Sequence, residues 1–130
     1  MRIWDVNQIG TIVLEAAIAV HRELGPGLLE SVYEIVLLHE LRDRGLQAER
    51  QVPIAIAYQY MEFDEGFRAD VVVEDRIILE LKSVECVTNI HKKQLLTYLK
   101  LSNRRLGYLL NFGSETMKSG ITRIVNGLDE

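Results

Sequence analysis

The chain has 130 residues, 48% of them hydrophobic and 26% charged, with a formal charge of -4. That composition belongs to a folded globular chain, and at this size about two-thirds of the unfolded surface can be buried without disulfides or a structural metal. The single cysteine, Cys86, excludes an internal disulfide and any cysteine-rich zinc module, and it agrees with a reducing compartment. No apolar run nears the roughly 18 residues of a membrane span, and Met1 to Gln8 hold no basic stretch leading into an apolar one. A cytoplasmic protein of one domain, residues 1–130, with no membrane partner is the expectation. The acidic balance means that contact with nucleic acid requires a local basic patch.

Ile9, Ile12, Val13, Ala16, Ala17 and Val20 recur at three- and four-residue intervals, which predicts an amphipathic helix from Val6 to Leu24. Gly25-Pro26-Gly27 ends it, with Gly25 suited to a left-handed cap. Helical spacing resumes from Leu28 to about Arg44 through Leu29, Val32, Tyr33, Val36, Leu37 and Leu41, and Gly45 stops it. The period then becomes two. Val52, Ile54 and Ile56 predict a strand from Gln51 to Tyr58, followed by a loop from about Gln59 to Gly66. Phe67 to Val73 and Ile77 to Lys82 read as a hairpin closed by Glu74-Asp75-Arg76. A helix from Ile90 to Leu101, with Thr88 or Asn89 as N-cap, precedes strands at Leu106 to Phe112 and Ile121 to Val125. The order is ααβββαβ(β), an α/β chain with a mixed sheet flanked by helices.

Asp70, Glu80 and Lys82 are polar residues inside an apolar strand pair. Alternation places Glu80 and Lys82 on one face, beside Ile78. A two-residue turn would pair Asp70 with Leu79 and put the carboxylates on opposite faces, whereas a three-residue turn sets Asp70 opposite Glu80. The three-residue register matches apolar partners better: Val73 with Ile77, Val71 with Leu79, Ala69 with Leu81. Two facing carboxylates repel unless a cation or proton lies between them. Mg²⁺, or Mn²⁺ in its place, suits carboxylate and carbonyl oxygens and keeps waters able to attack phosphorus. Lys82 could then orient that water or stabilise the phosphate.

Asp70 followed by Glu80-Leu81-Lys82 on a hairpin resembles the signature of the PD-(D/E)XK nuclease superfamily. Gly27-Leu28-Leu29-Glu30-Ser31-Val32-Tyr33 resembles the motif that names the GxxExxY family within it. Arg68-Ala69-Asp70, the Gln94-to-Tyr98 spacing and Asn111-Phe112-Gly113 are similar to that family too, so the likeness spans most of the chain. It implies a restriction-endonuclease-like core and a Mg²⁺-dependent phosphodiester hydrolase acting on DNA before RNA. It also implies Asp70 and Glu80 as metal ligands and Lys82 as the catalytic lysine. Leu81, through its carbonyl, and Glu30 join the candidate metal ligands, and Glu30 and Gln94 the candidate catalytic residues. Ala69 stands where the signature has proline. The rival reading is a non-catalytic nuclease fold that binds nucleic acid or a protein, and either reading admits a homo-oligomer.

Each secondary candidate has a plainer account. Glu30 shares a helical face with Tyr33, Leu37 and Leu41, so it points at the sheet, but a carboxylate in a first turn also complements the helix dipole. Gln94 is either beside the site or an ordinary amide on a half-exposed face. His21, His39 and His91 share no metal-ligand spacing, and Cys86 reads as a small packed hydrophobe. Lys92, Lys93, Lys100, Arg104 and Arg105 form either solvated helix surface or the basic patch that phosphates need.

Overall fold

A computed structural model describes residues 4–128. Its elements are α1 (Val6–Leu24), α2 (Glu30–Asp43), β1 (Ala48–Tyr58), β2 (Met61–Val73), β3 (Ile77–Lys82), α3 (Asn89–Leu101), β4 (Leu106–Asn111), α4 (Met117–Gly120) and β5 (Ile121–Val125). The five strands lie in the order β1-β2-β3-β4-β5. All neighbours are antiparallel except β3 and β4, whose parallel pairing is made by α3 crossing over between them. The sheet is thus mixed and flanked by helices, an α/β arrangement of the restriction-endonuclease-like kind.

The two faces carry separate cores. α1 and α2 cover one face, with Ile9, Val13, Ala17, Tyr33, Leu37 and Leu41 packed on Val71, Val73, Ile77, Leu79, Leu81 and Tyr108. α3 covers the other, with Leu95 and Leu99 against Ala69, Val72, Ile78 and Leu109. Central strand β3 is therefore covered on both sides, which is why Ile77-Ile78-Leu79 reads as a continuous apolar run and not as an alternation.

Local chemistry sets the ends. Asp5 and Gln8 form a capping box on α1, the Gln8 N–H donating to Asp5 Oδ1 at 2.8 Å and the Asp5 N–H to Gln8 Oε1 at 2.9 Å. Gly25 ends that helix with φ 71°. Thr88 caps α3 by accepting from the His91 N–H. Pro53 is tolerated because β1 is an edge strand.

The expected loop at Gln59 to Gly66 is instead mostly strand. Only Gln59 and Tyr60 turn, and Tyr58 pairs with Met61, Ala57 with Glu62 and Ile56 with Phe63. This part of the hairpin extends beyond both cores and is almost wholly exposed, so no burial imposes an alternating pattern there. Two further differences are smaller: β1 begins at Ala48, and a short α4 precedes β5.

Candidate active site

The β2–β3 ladder holds Val73↔Ile77, Val72↔Ile78 and Val71↔Leu79, which is the three-residue-turn register. Glu74 and Asp75 adopt left-handed φ values of 52° and 55°, and the Arg76 N–H closes the turn on the Val73 carbonyl at 3.0 Å. Beyond Val71↔Leu79 the strands part, and Asp70 stands at the fork. Its Oδ2 accepts from the Leu81 N–H at 2.8 Å, bridging the opened gap with a side chain where the ladder would have used a carbonyl. Glu80 belongs to the same fork, where its carboxyl and that of Asp70 act on one another electrostatically.

Burial pushes the Glu80 carboxyl up to about 9, and the charge of Asp70 adds to the rise while Lys82 opposes it. Asp70 is raised as well, first by burial. The Leu81 N–H and Lys82 pull it back, and the charge of Glu34 adds to the rise. The Tyr98 hydroxyl is raised by burial and then by both carboxylates, so α3 faces the fork through this residue, whose ring stacks on Phe67 at 4.0 Å.

These directions fix a sign. The folded chain binds the fork's proton more tightly than the unfolded chain does, so its contribution to stability is complete at low pH and is lost as pH climbs toward about 9. Melting temperatures of metal-free protein in a chelator should therefore fall between about pH 5 and about pH 9, and a rise over that window would contradict the buried pair.

Glu80 Oε1 is fully buried with no hydrogen-bond partner among the described residues. Leaving such an oxygen unpaired costs on the order of 1–3 kcal/mol, more if it is charged, so a proton or a cation is needed there. Alternation turns the Leu81 amide unit toward β2, where its N–H meets Asp70, and the Lys82 carbonyl toward β4, where it accepts from Phe112 N–H at 2.8 Å. The Leu81 carbonyl thus faces the fork. Two carboxylates and one carbonyl fit a hard divalent cation that retains waters. Among the described residues no three His, Cys, Asp or Glu side chains form a complete ligand set.

The remaining candidates lie at different distances from this centre in chain order and in contact. Glu30 is exposed, accepts from the Ser83 N–H at 3.2 Å, and lines a cavity of about 210 Å³ together with Ser31, Glu34, Gln51, Asp70 and Leu81. Glu30 therefore faces the end of β3, but it does not close a three-carboxylate set with Asp70 and Glu80. Tyr33 donates to the Gly25 carbonyl at 2.5 Å and accepts from the Leu28 N–H at 3.1 Å, while Ser83 Oγ donates to the Leu28 carbonyl at 2.8 Å. The Gly27-to-Tyr33 segment thereby fastens the α1–α2 turn beside Lys82. Asn111 fastens the other side. Its Oδ1 accepts from the Val84 and Gly113 N–H groups and its Nδ2 donates to the Val84 carbonyl. Gly113 is required there, since a Cβ would lie 2.4 Å from the Val84 carbonyl oxygen.

Gln94 is exposed on α3, one turn before Tyr98. The basic residues divide. Arg104 pairs with Asp75 at 2.7 Å at the closed end of the hairpin and Arg105 donates to the Gly127 carbonyl, so both are engaged away from the fork. Lys92 and Lys93 lie in the first turns of α3, near the open end. His21 is buried, its Nε2 2.9 Å from the Ser114 carbonyl, and Cys86 is exposed, not packed as expected.

Sequence reasoning missed Glu34. It is 4% exposed on α2, one turn after Glu30, and its oxygens take Arg50 Nε at 3.1 Å, Arg50 Nη2 at 2.6 Å and Gln51 Nε2 at 2.6 Å. The i, i+4 spacing from Glu30 was the available signal.

The chain is thus an α/β domain whose mixed sheet brings two carboxylates and a lysine to the fork of its central hairpin. The sequence profile of the PD-(D/E)XK nuclease superfamily matches residues 7–124, and the chain belongs to that superfamily. No curated protein gives a match. Superfamily membership suggests a nuclease and implies binding to nucleic acid, and nucleases of this superfamily usually use divalent metal ions. No helix among the described residues is long and apolar enough to cross a membrane.

Proposed function

We propose that the chain is a Mg²⁺-dependent phosphodiester hydrolase acting on DNA, with RNA as its second substrate class and Mn²⁺ as a substitute cation. The observation that carries this reading is the buried, unpartnered Glu80 Oε1 beside Asp70. Asp70, Glu80 and the Leu81 carbonyl hold the cation, and Glu30, on the wall of the same cavity as Asp70, is assigned to its outer waters. When bound, the cation supplies an activated water and stabilises charge developing on phosphate. Lys82 places its ammonium near both carboxylates, where it can help deprotonate the attacking water or hold the phosphate. Gln94 is assigned to substrate contact beside Tyr98, and Lys92 and Lys93 to phosphates flanking the cut.

Within the superfamily we assign the chain to the GxxExxY branch, because Glu30 and Tyr33 both have work in fastening the α1–α2 turn near the fork. The exposed free thiol of Cys86 fits a reducing, cytoplasmic setting, and the full length is read as one domain. A homo-oligomer would form through exposed apolar residues such as Leu29 and Ile35, at the start of α2 and on it, or Tyr60 and Met61 on the hairpin.

The test is cleavage of single-stranded, duplex and branched DNA and of RNA, with Mg²⁺ and Mn²⁺ and with chelator. Metal-dependent cleavage, lost in chelator, is expected on DNA. If nothing is cut above the level of Lys82→Ala, a non-catalytic module that binds nucleic acid or protein becomes the better account.

A further inference from the structure

β1 and β2 change phase at one matched position. In a regular strand, residues two or four apart share a face. Yet Ala48 packs in the α1/α2 core while Val52 and Ile54 pack on the α3 side, and likewise Val71 faces α1/α2 while Ala69 faces α3. The slip in β1 falls between Arg50 and Val52, and the slip in β2 between Ala69 and Val71. Arg50↔Val71 and Val52↔Ala69 are paired, so Gln51 and Asp70 stand opposite one another at the slip.

Gln51 has φ 51°, a left-handed conformation inside an extended strand. For a residue with a Cβ this costs roughly 1–3 kcal/mol, so neighbouring contacts must hold it. Glu34 does so. Consecutive side chains on a strand point to opposite faces, yet Arg50 and Gln51 both reach the buried Glu34 carboxylate, and only the left-handed Gln51 allows that.

We infer that the Glu34–Arg50–Gln51 clamp is a positioning device: it holds Gln51 left-handed, and the resulting phase slip turns the Asp70 side chain into the fork to meet the Leu81 N–H. The inference rests on the proposed metal site for its purpose but not for its geometry. Gln51 and Glu34 are given no part in holding the cation or the phosphate. They act through Asp70, which shares one cavity with both. Asp70 is thus released from regular alternation twice, by the clamp on one side and by the parting of β3 on the other.

The experiment compares Gln51→Gly, which accepts a positive φ without the clamp, with Gln51→Val, whose β-branched side chain resists it. Two readouts are taken: hydrogen exchange of the Leu81 amide in metal-free protein, and Mn²⁺ affinity by calorimetry. In Gln51→Val the Leu81 amide should lose protection and the Mn²⁺ Kd should rise about tenfold or more. In Gln51→Gly both should stay near the parent, within about threefold in Kd. Should Gln51→Val fail to fold, Glu34→Leu is read the same way, with loss of Leu81 protection expected. Unchanged Leu81 protection in a folded Gln51→Val or Glu34→Leu variant overturns the inference, as does equal loss in Gln51→Gly and Gln51→Val. A parent that binds no Mn²⁺ sinks the metal reading alone, since the Leu81 amide still reports the clamp.

Discussion

Glu80→Gln is expected to stabilise the metal-free protein at neutral pH while removing its response to Mg²⁺ and its hydrolytic activity. Folding the parent at pH 7 requires Glu80 to take up a proton or to bury a charge, because its carboxyl is pushed from 4.5 to about 9. The amide meets neither cost. The gain at pH 7 is on the order of 1–3 kcal/mol and vanishes near pH 4, where the parent's carboxyl is protonated in both states. The fall in melting temperature between about pH 5 and about pH 9 should therefore flatten in the variant. An amide oxygen is a poor substitute for a carboxylate on a hard cation, so the shift in melting temperature on adding Mg²⁺ should disappear, and cleavage should drop about a thousandfold or more. Thermal melts in chelator and in Mg²⁺, at several pH values, check the stability and metal-binding parts of this, and a cleavage assay checks the loss of hydrolysis. A variant destabilised at neutral pH would instead make Glu80 a structural hydrogen-bonding residue.

The register of the central hairpin was legible because both strands are apolar and buried: Val73 with Ile77 and Val71 with Leu79 could be matched by chemistry alone, and Asp70 fell beside Glu80 as a consequence. Helix α1 and strands β3 and β5 were legible for similar reasons, since each has clear burial or clear punctuation. What escaped notice shares one property. The hairpin extension from Ile56 to Phe63 has no core to face, so its strands carry no period. Gln51 is a polar residue with nothing in its type to announce a left-handed backbone, and the slip it creates is invisible to any reading that assumes unbroken alternation. Glu34 is buried only because Arg50 and Gln51, 16 and 17 residues further on, converge on it. Arg104 and Arg105 looked like part of a basic patch, yet long-range partners at Asp75 and Gly127 occupy them. Periodicity reports burial well, whereas pairing between polar groups distant in sequence leaves little trace in composition.

Lys82→Ala should separate two properties that fall together in Asp70→Ala and Glu80→Ala. The backbone at this position is anchored independently of the side chain: Phe112 donates to its carbonyl, Lys82 pairs with Asn111 in the β3–β4 ladder, and the next residue is held by Glu30 and Leu28. Truncation therefore leaves the strand in place. The ammonium favours the charged forms of both carboxylates without forming an ion pair among the described residues. A positive charge in that place also repels an incoming cation, so its removal should leave divalent-metal affinity equal to the parent's or tighter at alkaline pH. Hydrolysis is different, because the group that faces developing negative charge on phosphate is gone, and a loss of about 10²–10³-fold in turnover is expected. The stabilisation conferred by Mg²⁺ depends on free cation over Kd and is measured without turnover, so melting temperatures give the binding half of the result and a cleavage assay the catalytic half. Retained Mg²⁺ stabilisation with cleavage lost places Lys82 on water or phosphate. If the stabilisation disappears with cleavage, Lys82 serves to assemble the metal site, and the division of labour between the carboxylates and the lysine is wrong.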